Sequence, residues 1–207
     1  MNPAPLPLEE DEQGESTADV RDVRVHPTAL CETTVLGPGT RVGPFAHVRP
    51  GATIGSDCTL GSGVCVDGGA VLGDRVTVMD GVVLSCAVTV EDDVVLGPGV
   101  VFTGDQAPGR THYGPTEKFL PTIVRRGATV AGGAVVVSGI VIGKHAYVEP
   151  GTVVSRNVPA HAIIIGSSAH RVGWVCRCGR RLPDTLRCPV CGRDYRLGRS
   201  GLRELPG

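Results

Sequence analysis

The eight cysteines fall into two populations. Cys31, Cys58, Cys65 and Cys86 are scattered, whereas Cys176, Cys178, Cys188 and Cys191 sit in the runs CRCG and CPVCG, the spacing of paired metal-binding turns. Four thiolates suit a tetrahedral zinc ion, and a set that fills all four positions leaves none for water, so such a site is structural. A CxC stands in the first half where CxxC is commoner. A segment of about 30 residues has too little core to fold unaided, which is what a metal staple would supply. Two histidines are candidates for moving a proton near neutral pH: His47, next to an inward-facing position, and His112, in a long irregular segment.

The elements that must position these groups are set by an unusual composition. The chain has 30 glycines and only seven aromatic residues among 207, with 41% hydrophobic residues spread evenly along it. That excludes collagen and low-complexity disorder, and it requires a core of Val, Leu, Ile and Ala. The length predicts one principal domain and a small appendage.

From Leu36 an aliphatic residue or Phe recurs at every sixth position: Leu36, Val42, Val48, Ile54, Leu60, Val66, Leu72, Val78, Leu84, Val90, Leu96 and Phe102. The residue four places after each is small or β-branched, as in Ala46, Cys58 and Val64. Six matches neither the 3.6 of a helix nor the 2.0 of a plain strand, but it fits a short strand followed by a tight corner. Three such hexads close a triangular coil. Stacked coils pair their strands in parallel about 4.8 Å apart, around an interior too thin for many rings. The register breaks after Phe102 and resumes at Val124, Val130, Val136, Ile142, Val148 and Val154. About 16 residues therefore leave the prism as a loop over 104–121, and a loop of that length on a rigid scaffold is functional or disordered. The 18 hexads predict about six coils, with an irregular coil around Val25–Leu30 one residue out of register.

Residues 1–22 carry seven acids and three early prolines, which predicts a disordered acidic tail. Residues 171–207 carry nine arginines, but without aromatic interleaving, which argues against nucleic acid as a partner. No apolar run reaches the roughly 18 residues of a membrane span and no signal peptide is evident, so the expectation is a cytoplasmic protein with no membrane partner. The expected organisation is a tail over 1–22, the coiled domain over 23–173 and a zinc-ribbon-like segment over 174–207.

The run Leu36 to Val158 resembles the hexapeptide-repeat acyltransferases, whose coils form a left-handed parallel β-helix. PTIVRRGATV (Pro121 to Val130), the run Gly139 to Gly166 and AHRVGWVCRCGRRL (Ala169 to Leu182) resemble, more narrowly, the N-acetyltransferases of nucleotide-linked 3-amino sugars. The resemblance covers about residues 23–182. It implies acetyl-CoA as donor, an amino-sugar nucleotide as acceptor, a role in polysaccharide or glycoconjugate synthesis, and a homotrimer with sites between subunits.

It also implies a site. The cofactor is expected along the later coils, with Arg125, Arg126, Gly127, Ala128, Gly133, Ser138, Gly139 and Lys144 as contacts, the three cations meeting phosphates. Asp80 is the corner acid aligned with the family's polar site, a candidate with His47 and His112 for catalysis. Phe45, Phe102 and Arg110 are expected at the substrate. The chain departs from the family at this corner: Met79-Asp80-Gly81 and then Ser85-Cys86 replace an Asn-rich turn and a Tyr-Asp pair. Two other classes compete: a non-catalytic β-helix scaffold with a zinc-ribbon interaction module, and an acyltransferase of another small acceptor. A metal-dependent hydratase would need three grouped histidines, which the isolated His47 and His112 do not provide.

Overall fold

The computed structural model describes residues 22–104 and 120–206. The expected tail through residue 21 and the body of the expected loop, with Arg110 and His112, lie outside the described residues.

The described chain is all-β, a parallel solenoid of two- to four-residue strands on three faces. The first face runs from Arg24–Val25 through Arg41–Val42, Thr59–Leu60 and so on to Ala162–Ile165. The second runs from Leu30–Cys31 to Val153–Val154, and the third from Thr53–Ile54 to Val141–Ile142. The hexad rule sets the register: Val42 pairs with Leu60, Leu60 with Val78 and Val78 with Leu96, each three hexads further on. Leu96 then pairs with Val130, three hexads plus the inserted segment away, so the inserted length equals the sequence expectation. The residues at these inward positions are buried in one continuous cluster from Val42 to Ala169. Each fully buried Val or Leu contributes roughly 1.5–3 kcal/mol, and long strands are unnecessary because the cluster is shared by all coils.

The second face has seven strands, the six turns expected from the hexads and the irregular coil expected before them. Leu30 pairs with His47 and Arg24 with Arg41, one position short of three hexads, so this coil stacks although its hexads are out of step.

Three columns of corners connect the faces. At the corner between the third and first faces, Asp57, Arg75, Asp93, Gly127, His145 and His161 stack with left-handed backbones, φ 54° to 69°. Each donates its N–H to a carbonyl of the preceding turn, as His145 does to Arg126 and His161 to Lys144. The last interval is two positions short of three hexads, since Val148 pairs with Ile164. Ala162–Ile165 then pairs antiparallel with His170–Trp174. Beyond it, Cys176, Leu182, Cys188, Tyr195 and Leu202 form a second small cluster. This C-terminal segment returns to the solenoid through a hairpin of Tyr195–Gly198 and Gly201–Glu204. Its turn meets the last coil at Ala160, whose N–H donates to the Ser200 carbonyl (2.9 Å) and whose carbonyl accepts from Leu202 N–H (3.1 Å).

Candidate functional site

The expected cofactor contacts do not form one cluster within the chain. Arg125, Arg126, Gly127, Ala128 and Lys144 gather at the corner between the third and first faces. Gly133 lies at the corner between the first and second faces, and Ser138–Gly139 at the corner between the second and third, beside the base of the inserted segment. There Ser138 N–H donates to Thr103 Oγ1 (3.2 Å) and Gly139 N–H to Thr122 Oγ1 (2.9 Å). Ala128 is buried, so only its backbone is available to a ligand.

At the third-to-first corner, acids and arginines interlock. Arg125 pairs with Glu91 (2.5 Å), Arg126 with Asp92, and Arg75 with Asp93 through two bonds (2.6 and 3.2 Å). Glu91 also accepts the Arg126 N–H (2.8 Å). Burial pushes the Glu91 carboxyl up, but the Arg126 amide and the Arg125 guanidinium, with Lys144 nearby, outweigh it and hold the group below the usual carboxylate range. Next to this network is an open groove of about 590 Å³, lined by Arg125, Lys144, Asn157, Pro159, Arg199 and Ser200 among others.

The expected acceptor-side residues share another region. Phe45 (φ 57°, exposed), Asp80 and Gly133 belong to the first-to-second corner column, and His47 stands on the adjoining second face. Asp80 Oδ1 accepts the N–H of Ser62 in the preceding coil (2.7 Å). Asp74 does the same for Ser56 (2.8 Å) and Asp92 for Asp74 (3.1 Å). This bond ties one coil to the next, and it gives Asp80 a structural task of its own. His47 Nε2 lies 2.9 Å from Glu32 Oε2 on the solvent side. Because a carboxylate only accepts, Nε2 carries the proton, and in the neutral ring Nδ1 keeps its lone pair. Phe102 requires a correction. The residue is 2% exposed inside the solenoid, in register with Val136, because it occupies an inward hexad position. It is a core residue and cannot line a substrate pocket.

The four C-terminal cysteines converge, with all Sγ atoms within 4.8 Å of one another. Cys176 and Cys191 are 3.4 Å apart and Cys178 and Cys188 3.5 Å, close to the roughly 3.8 Å between sulfurs of a tetrahedral zinc site with bonds of about 2.3 Å. Two tight turns present them, one carrying Cys176 and Cys178 and the other Cys188 and Cys191: Gly179 N–H donates to the Cys176 carbonyl (2.8 Å) and Gly192 N–H to that of Cys188 (3.0 Å). The amide of Arg193 helps bring the Cys191 thiol down to about 6. At Cys178 the Arg180 amide pulls the thiol down, but burial and the three neighbouring sulfurs push it up to about 12. Tyr195 Oη lies 3.1 Å from Cys176 Sγ and accepts the Arg177 N–H (3.0 Å).

Between this segment and the first face is a cleft of about 340 Å³, lined by His145, Tyr147, Glu149, Arg177 and Arg181 among others. His145 and His161 stack 5.0 Å apart, and His161 lies 5.0 Å from Tyr195. Sequence reasoning missed Glu32, Glu91, Asp92, His145 and Arg199 as members of these sites. The Glu91–Arg125 pair was findable, since its separation is one coil plus the insertion. Arg199 left no signal, because no periodicity links the C-terminal segment to the coils.

Residues 33–68 match the family described as Bacterial transferase hexapeptide (six repeats). A dTDP-3-amino-3,6-dideoxy-alpha-D-galactopyranose 3-N-acetyltransferase of Aneurinibacillus thermoaerophilus is 38% identical over 82 residues, 39% of this chain and 43% of that enzyme. The match thus spans less than half of the relative's length. Among solved structures, a point mutant of AntD, an N-acyltransferase from Bacillus cereus in complex with dTDP and coenzyme A, superposes with a TM-score of 0.53 at 15% identity, over 75% of this chain and 84% of that one. PerB from Caulobacter crescentus, in complex with CoA and GDP-perosamine, gives 0.48 at 23% identity, over 74% and 58%. The likeness to AntD is one of fold. No helix among the described residues is long and apolar enough to cross a membrane.

Proposed function

We propose that this chain is an acyl-CoA-dependent N-acyltransferase whose acceptor is the amino group of a nucleotide-linked amino sugar, with acetyl-CoA as donor. The observation that carries this reading is the 38% identity over 82 residues to an enzyme that acetylates the 3-amino group of a dTDP-linked sugar. The hexapeptide solenoid, its cation-lined groove and the fold likeness to AntD, solved with coenzyme A and dTDP, support it.

The chemistry asks little of side chains. The neutral amine attacks the thioester carbonyl, a tetrahedral oxyanion forms, and the carbon–sulfur bond breaks as the amide forms. The departing thiolate can take the amine's proton. What the protein must supply is position and donors for the oxyanion, and corner backbone amides are of the right kind. His47, with Nε2 directed to Glu32, presents Nδ1 as an acceptor for the amine proton. Asp80 and His112 remain the other candidates, and Asp80 is already engaged by Ser62. The homotrimer belongs to the same proposal, in which a neighbouring subunit joins corners that one chain keeps apart. The four cysteines hold zinc structurally.

The test is turnover: the protein with acetyl-CoA and a panel of dTDP- and UDP-linked amino sugars, following thiol release and the acetylated product by mass. Release that depends on an amino sugar confirms the reading. Coenzyme A binding without turnover on any amino sugar redirects it to another acceptor, and absence of coenzyme A binding leaves the scaffold.

A further inference from the structure

The groove beside Lys144 is made by two parts of the chain far apart in sequence. One wall is the third-to-first corner, with Gly143 and Lys144 and, one coil away, Arg125. The floor is the last coil from Asn157 to Ala160, and the opposite wall is Arg199–Ser200, the turn of the C-terminal hairpin. The turn is fixed by main chain: Ala160 bonds to Ser200 and Leu202, and Gly201 rests so close to Ala160 that a Cβ there would overlap its nitrogen and oxygen. Arg199 is therefore delivered to the groove by backbone pairing.

No carboxylate is among the lining residues. Among the described residues, Glu91 answers Arg125, and no acid lies within ion-pair distance of Lys144 or Arg199. Arg199, with no acid partner among the described residues, and Arg125 and Lys144, which share Glu91, are set around one concavity of about 590 Å³ and leave a positive potential that an anion of matching charge relieves. The guanidinium fork suits phosphate oxygens, and the lysine adds a point charge. Val141 and Pro159 give the floor apolar area for the rest of a nucleotide.

Arg125 and Lys144 are already expected to meet cofactor phosphates; we propose that Arg199 of the C-terminal segment completes their site, which takes the phosphate of a nucleotide as a phosphomonoester or a diphosphate. The four-cysteine segment then serves ligand affinity as well as folding. For the source of that phosphate the proposal rests on the acyltransferase reading, in which both donor and acceptor carry one.

The experiment titrates the full-length protein by calorimetry at low salt with adenosine 3′,5′-bisphosphate, which has the phosphates but not the thiol arm of coenzyme A, with dTDP, and with coenzyme A itself. Variants are Arg199→Ala, Arg199→Lys, Lys144→Ala and Arg196→Ala, the last on the same hairpin but outside the groove. The expected result is that Arg199→Ala and Lys144→Ala each weaken the bisphosphate about tenfold, Arg199→Lys restores part of the loss, and Arg196→Ala changes nothing. The same pattern with dTDP instead assigns the phosphate to the acceptor and upholds the site. Undiminished binding of both probes by Arg199→Ala overturns the proposal. In that case coenzyme A binding by the wild type still upholds the acyltransferase reading, and its absence removes that too.

Discussion

Gly201 sits against Ala160 with no room for a side chain, at φ 119° and with the Ala160 nitrogen and oxygen where a Cβ would have to go. Gly201→Val therefore has to break the contact that docks the C-terminal hairpin. The expected cost is about 2 kcal/mol, or roughly 4 to 8 °C in Tm for a chain of this size. Differential scanning calorimetry checks it, and proteolysis should release the C-terminal segment first. An unchanged Tm would mean that the hairpin is not held there.

Asp80 offers a test of structure against chemistry. Its Oδ1 accepts the Ser62 N–H, a task that an Asn carbonyl oxygen can also perform. Asp80→Ala should lose about 1 kcal/mol of stability and Asp80→Asn should regain it. Turnover of Asp80→Asn should stay near that of the wild type. A fall of about a hundredfold in kcat at unchanged Tm would show that the negative charge takes part in proton transfer.

The sulfur geometry predicts one zinc per chain at Cys176, Cys178, Cys188 and Cys191. Elemental analysis of protein purified without chelator should find it, and cobalt substitution should give the absorption of a tetrahedral thiolate site. Cys188→Ser should bind less metal and melt lower, since metal binding at such a cluster contributes folding free energy. Protein that carries no metal, and melts the same with or without added zinc, would contradict the assignment.

His145 predicts a pH effect. Burial first, then the charges of His161 and Arg177, hold its imidazole below the ordinary value. As pH falls below about 6.5 the unfolded chain takes up a proton that the folded ring resists. The contribution of the neutral ring is thus complete above about 6.5 and is lost as pH falls through the lowered folded value. His145→Asn, which tolerates the left-handed backbone at this corner (φ 54°), removes that titration. Its Tm should drop less than the wild type's between about pH 7.5 and 5. An equal drop would locate the acid sensitivity elsewhere.

What could be read from sequence follows from what a period can encode. Because each sixth residue must point inward, the inside or outside position of Val48, Leu84 or Val136 is fixed before any coordinates exist. The same logic gives the length of the insertion. It also explains the correction at Phe102: an aromatic beside a loop suggests a ligand contact, while its hexad position already places it inside. The first coil is legible as an irregular turn, because its spacing is one position short of the period. Contacts between coils and the C-terminal segment depend on where a non-repeating chain folds back, so Arg199 beside Lys144 and Tyr195 beside His161 had no periodic trace.

A stack of parallel coils has no inherent length, since each turn presents the next with the same row of open backbone groups. At the last coil of this chain, Ser200 and Leu202 occupy those groups at Ala160. At the first, Arg24 lies in register with Arg41, so an incoming strand would have to add its own backbone beside stacked like charges. At Ala160 the last coil is thereby closed to a further strand, and the C-terminal hairpin acts there as the stop of the stack.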